Sequence, residues 1–112
     1  MNALIQHEVT ARAEAAPAAT AIVCGGDSMT YGTLEAASNR LARLLTAAGC
    51  MRGDRVALLM RKQPAAIVAM LGVLKAGAIY VPLDAAEPAA RLARTLAASD
   101  CRCVLAAGPV HP

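Results

Sequence analysis

The hydrophobic and polar positions along the chain alternate between two rhythms. Residues 3–16 carry good helix formers, and Pro17 stands just beyond them as a stop. Residues 20–24 (T-A-I-V-C) form a short β-rich run, followed by the tight-turn signal Gly25-Gly26-Asp27. Residues 28–31 then supply the returning strand of a hairpin. Thr30 also suits a helix N-cap. Beyond it Leu34, Ala37, Leu41, Leu44, Leu45 and Ala48 recur on one helical face, with Glu35, Asn39, Arg40, Arg43 and Thr46 mostly off it. Gly49 ends this helix.

Two further units follow. Arg52-Gly53-Asp54 reads as a turn, and residues 55–60 (R-V-A-L-L-M) as a strand covered on both faces. Gln63-Pro64 opens a helix. Its Ile67, Val68, Met70, Leu71, Val73 and Leu74 leave little polar surface, so deep burial is expected up to the stop at Gly77. Residues 78–81 form a second apolar strand, closed by Pro82. Pro88 opens a helix through residue 99, with Leu92 and Leu96 inward and Arg91 and Arg94 outward. Residues 101–106 (C-R-C-V-L-A) form the last strand, and Gly108, Pro109 and Pro112 mark a loop. The expected fold is α/β: βαβ units with a mainly parallel sheet, preceded by an N-terminal helix and a short β-hairpin.

Composition qualifies that picture. The chain has 112 residues and is 57% hydrophobic, but 28 residues are Ala. There is no Phe or Trp and there are only two Tyr, so the core is thin and has few large anchors. A net charge of +3, spread along the chain, does not suit a nucleic-acid binder. The first seventeen residues lack the apolar stretch of a secretory signal, and the longest apolar run, 64–74, is too short to span a bilayer. The expectation is a cytoplasmic chain that binds neither membrane nor nucleic acid.

Candidate chemistry is sparse. Phosphate-loop and nucleophile-elbow patterns are absent. His7 and His111 have no evident Ser or Cys partner, and Asp27, Asp54, Asp84 and Asp100 each fall at a turn or element end. Cys24, Cys50, Cys101 and Cys103 read as free thiols, small and buried at strand edges. Cys101-Arg102-Cys103 lacks the companions of a zinc site, so no metal is expected.

One stretch is specific. Residues 74–84, L-K-A-G-A-I-Y-V-P-L-D, closely resemble the L-K-A-G-x-A-Y-V-P-[IL]-D motif of adenylation domains. These are the amino-acid-activating domains of nonribosomal peptide synthetases, within the AMP-forming ligase superfamily. Thr30-Tyr31 with Leu34, Asn39, Arg40, Leu41 and Ala42 is similar to the preceding T-Y-x-E-L…A-N-R-L-A motif. Residues 53–57 resemble G-D-x-V-A, and Pro88 with Arg91-Leu92 resembles P-x-x-R-L. The order and spacing match over nearly the whole chain. Departures are local. Thr33 stands where the family has Glu, which removes a capping box. Gly32 weakens the same turn, Gln63 replaces a common Ser, and the usual Pro, Tyr and Glu after Asp84 are missing, with Ala85 loosening a turn.

The resemblance implies a parent reaction in which an amino acid and ATP give aminoacyl-AMP and pyrophosphate. Transfer to a carrier-protein thiol follows. It also implies ATP and Mg as cofactors of the parent domain. The family's phosphate loop, adenine and ribose contacts, amino-acid pocket and catalytic Lys all lie beyond the matched region. Residues 1–112 are therefore expected to be an N-terminal fragment of an adenylation domain, with loss on its C-terminal side. Such a chain would bind no cofactor and be inactive alone. The remainder of the domain or a synthetase partner would complete it. The matched positions Thr30, Tyr31, Leu34, Gly53, Asp54, Leu74, Lys75, Gly77, Tyr80, Pro82, Asp84 and Arg91 are expected to be structural, with no catalytic, cofactor-binding or metal role. Lys75 in particular is expected to complement a helix dipole. Two other readings are a non-catalytic α/β module that docks onto a synthetase, and an independent small binding domain.

Overall fold

A computed structural model describes residues 5–60, 63–84 and 86–106. The loop expected around Gly108, Pro109 and Pro112, the turn at Ala85, and His111 lie outside the described residues. Helix α1 (Ile5–Ala15) leads into the hairpin β1 (Thr20–Cys24) and β2 (Asp27–Thr30). Then come α2 (Tyr31–Ala47), β3 (Arg55–Leu59), α3 (Pro64–Lys75), β4 (Ile79–Leu83), α4 (Ala89–Ser99) and β5 (Cys103–Ala106). The hairpin is antiparallel, and the second sheet is parallel in the order β4-β3-β5. This is the α/β architecture that the alternation of rhythms predicts.

The central strand explains where the core sits. Val56, Ala57 and Leu58 of β3 are all buried, as a strand covered on both faces requires. Val56 and Leu58 face one side, where Leu45 and Cys50 meet Ala69 and Val73 of α3. The chain moves from β3 out to β4 and then back past β3 to β5. Right-handed crossovers in opposite directions put α3 and α4 on opposite faces. Val81 and Val104, level with Ala57, share the α4 face.

The helices α2 and α3 end alike. Gly49 and Gly77 both have positive φ, at 97° and 78°. Cys50 and Ala78 donate their N–H groups back to Leu45 and Val73, while Gly49 and Gly77 donate to Thr46 and Leu74. Each is a Schellman motif, which satisfies the last carbonyls of a helix and needs a residue that tolerates left-handed backbone.

Several details differ from the sequence expectations. The buried face of α2 is Leu34, Ser38 and Leu45; Leu44 is 67% exposed and Ala48 is also exposed. Glu35 and Asn39 lie at the packed side, for the reason given below. Deep burial of α3 is confined to Ala69, Leu71, Gly72 and Val73. Pro82 does not close β4 but lies within it, opposite Leu58. Ile79 donates its N–H to Asp54 of the central side, so by alternation the missing N–H of Pro82 falls on the open side. Gly32 is not merely a weak point, because its N–H donates to the Pro17 carbonyl and a Cβ there would sit 3.1 Å from that oxygen. Of the cysteines only Cys50 is buried, and it follows a helix rather than edging a strand.

Candidate functional site

The end of α3 gathers the motif residues. Lys75 carries its charge inward, with its side chain only 11% exposed. Its Nζ donates to Glu35 Oε1 at 2.6 Å, Ser38 Oγ at 2.8 Å and Asn39 Oδ1 at 2.8 Å. All three ammonium protons are thus used. Glu35, Ser38 and Asn39 stand at i, i+3 and i+4 on α2, so they project from one face. From α1, Thr10 Oγ1 lies 2.9 Å from Glu35 Oε2, and Asn39 Nδ2 reaches the same oxygen at 3.5 Å. Ser38 is fully buried and donates to the Glu35 carbonyl. One cation therefore ties three helices together.

Electrostatics at Glu35 follow from this arrangement. Burial is the largest single influence and pushes the carboxyl up. Hydrogen bonds from Lys75 and Thr10, the charge of Lys75 and the amide of Asn39 outweigh it together, so the group is held below its usual value of 4.5. A cleft of about 340 Å³ opens beside the cluster, lined by Gln6, His7, Asn39, Arg43 and Leu74 among others.

The same helix end is welded to the turn before β3. Gly53 donates its N–H to the Gly77 carbonyl at 2.9 Å, and Ile79 donates to the Asp54 carbonyl at 2.8 Å. Asp54 Oδ2 accepts from the Met51 N–H and lies 3.6 Å from Arg102 Nε. Three separated stretches thus meet: that of Leu34 to Ala42, that of Gly53 and Asp54, and that of Leu74 to Gly77. Tyr80 packs against the core patch next to them.

The remaining expected positions stay outside this junction. Thr30 caps α2 by accepting from the Thr33 N–H at 3.2 Å, so half of the capping box survives without Glu. Tyr31 is half-buried and donates its N–H to the Ala19 carbonyl. Asp84 accepts from the Ala86 N–H and turns the chain after β4. Arg91 makes an exposed pair with Glu87 at 3.6 Å. For Lys75 the helix-dipole expectation was incomplete. Its partners Glu35 and Ser38, and Thr10 which bonds Glu35 in turn, do not follow from that expectation. The available signal was a polar triplet at i, i+3 and i+4 interrupting an otherwise apolar helix face.

This junction offers little for nucleotide chemistry. Its ammonium and carboxylate are spent on each other. The acids Asp27, Asp54, Asp84 and Asp100 stand at separate turns, and among the described residues no three His, Cys, Asp or Glu converge on a metal position. No helix among the described residues is long and apolar enough to cross a membrane.

Comparison with known proteins gives the family. The sequence model of the family described as AMP-binding enzyme matches residues 9–111. The chain belongs to that family. It is 46% identical over 94 residues to surfactin synthase subunit 2 of Bacillus subtilis, covering 84% of this chain and 3% of that protein. Isonitrile lipopeptide synthase of Mycobacterium tuberculosis is 46% identical over 89 residues, 80% of this chain and 4% of its own length. Among solved structures, the AMPPNP-bound form of the nonribosomal peptide synthetase FmoA3 matches with a TM-score of 0.87 and 36% identity, covering 92% of this chain and 11% of that one. The N-terminal domain of FACL13, also from Mycobacterium tuberculosis, matches with a TM-score of 0.83 and 34% identity, covering 91% and 26%. The chain thus spans a small part of its relatives, and its resemblance to the N-terminal region of adenylation domains holds.

Proposed function

We propose that this chain is scaffold from an amino-acid-activating adenylation domain and performs no catalysis alone. The reaction it serves joins an amino acid to ATP, releases pyrophosphate, and passes the aminoacyl group to a carrier-protein thiol. ATP, Mg and the amino acid bind elsewhere in that parent domain. The observation that carries this reading is the convergence of the motif segments on a junction whose charges are already satisfied. A group that donates all its protons to fixed partners positions helices rather than substrates. The likeness to FmoA3, whose AMPPNP-bound form has been solved, supports the choice of a nucleotide-using parent.

The test is amino-acid-dependent ATP–pyrophosphate exchange. The 112-residue chain should give none with any of the common amino acids. Transplanted into the matching region of a working adenylation domain, it should restore exchange with the host's own amino-acid preference. Exchange by the chain alone would overturn the proposal, and so would a change in preference in the chimera.

A second reading, a docking module for a synthetase partner, is favoured by one feature. Ile79 and Val104 on the α4 face are 50% and 44% exposed, and α4 buries no residue. Complementation by a separately made remainder of the domain would support it.

A further inference from the structure

Two cysteines far apart in sequence meet at a cleft outside the Lys75 junction. Cys50 follows the Schellman turn of α2, is 7% exposed, and is pinned by its N–H bond to Leu45. Cys103 opens β5 opposite Val56 and is half-buried. Both belong to the core patch around Val56, and both line a cleft of about 290 Å³ with Leu45, Ala48 and Arg102. The neighbours of the two cysteines touch as well. Arg102 Nη2 reaches back over Gly49, so close that a Cβ there would lie 2.7 Å from it.

We propose that Cys50 and Cys103 are an oxidisable dithiol, which a peroxide-class oxidant closes into an intramolecular disulfide joining β5 to the end of α2. The half-exposed Cys103 reacts first. Its thiolate sulfur attacks one peroxide oxygen, the O–O bond breaks, and water leaves with the thiol proton, giving a sulfenic acid. The Cys50 sulfur then attacks that sulfur, the S–O bond breaks, and a second water leaves. Two thiols are oxidised and one peroxide is reduced. The order follows from environment. Burial first, then Asp54 and Cys103, push the Cys50 thiol up, so it is the poorer first nucleophile, and the Arg102 guanidinium opposes this. This inference does not depend on the adenylation reading.

The test is peroxide treatment of the reduced 112-residue chain, followed by intact mass and non-reducing peptide mapping. Native conditions should give a monomer lighter by two hydrogens, with one cross-linked peptide pair holding Cys50 and Cys103. Unfolding in guanidinium before oxidation should scatter the pairing among the four cysteines. Cys50→Ser should leave a Cys103 sulfenic acid trapped by dimedone, while Cys101→Ser should keep the cross-link. A native cross-link involving Cys24 or Cys101, a disulfide only between chains, or the same pairing and yield in guanidinium would each overturn the proposal. The wild-type comparison stands even if a variant fails to fold.

Discussion

The two faces of the parallel sheet are built on different principles. On one, α3 buries four residues and α2 adds Leu34, Ser38 and Leu45, with a charged cluster welding the helices at their ends. On the other, α4 buries none, although its Leu92, Thr95, Leu96 and Ser99 form a half-buried stripe. Both helices sit in βαβ units of one sheet, so topology is not the difference. The first face has close approach and a cluster of directional bonds, while on the second Arg55 Nη1 donates to the Ser99 carbonyl of α4 at 3.3 Å beside half-buried apolar contacts. A thin, Ala-rich chain has concentrated its specificity on one side.

The sharpest way to break that contrast is at Lys75. Lys75→Met leaves Glu35 without its cation and Ser38 and Asn39 without a donor. The expected loss is about 3 kcal/mol in urea unfolding. Adding Glu35→Leu should return part of it, and a double-mutant cycle measures how much. Gly72→Ala comes next. Its Cβ would lie 2.7 Å from Leu41 Cδ2 and 2.9 Å from Leu41 Cβ, so α2 and α3 must separate. Overpacking of this kind costs about 1–3 kcal/mol, more than the helix-propensity gain, and Leu41→Ala in the same chain should offset only part of it, because the Cβ at position 41 remains.

Acid gives a subtler probe. The Glu35 carboxyl is depressed in the folded chain, so its contribution is full above its usual value of 4.5 and disappears as pH falls through the lower folded-state value. The urea midpoint should drop across that window, and Glu35→Gln should flatten that part of the profile. Smallest of all, Arg91→Ala on α4 should change stability by less than about 0.5 kcal/mol, because its pair with Glu87 is exposed. Amide exchange sharpens the same contrast without mutation. Protection in α3 should exceed that in α4 across the whole helix.

Much of this was legible in the chain itself. Element type and order follow from periodicity, and Gly49, Gly77, Pro64 and Thr30 mark boundaries through backbone chemistry that acts locally. The strand at Ile79 ran through Pro82 because an edge position decides whether a missing N–H matters, and a sequence does not show which strand is at an edge. Glu35 and Asn39 lie at the packed side rather than off the apolar face for a related reason. Their polarity argues for solvent unless a distant cation arrives, and Lys75 is a helix and a strand away. Gly32 looked like a defect until Pro17 was found against it. Local rules therefore served the elements well, while contacts between segments remained hidden.

Pro82 carries one more consequence. Sheets can grow by accepting another chain along an unpaired margin, which is how misassembled polymers begin. At the β4 margin the proline withholds the donor that an incoming backbone would need. The β5 margin, Cys103–Ala106, contains no proline. Extension of this sheet is thus disfavoured at Pro82 on one flank, while β5 carries no such stop on the other.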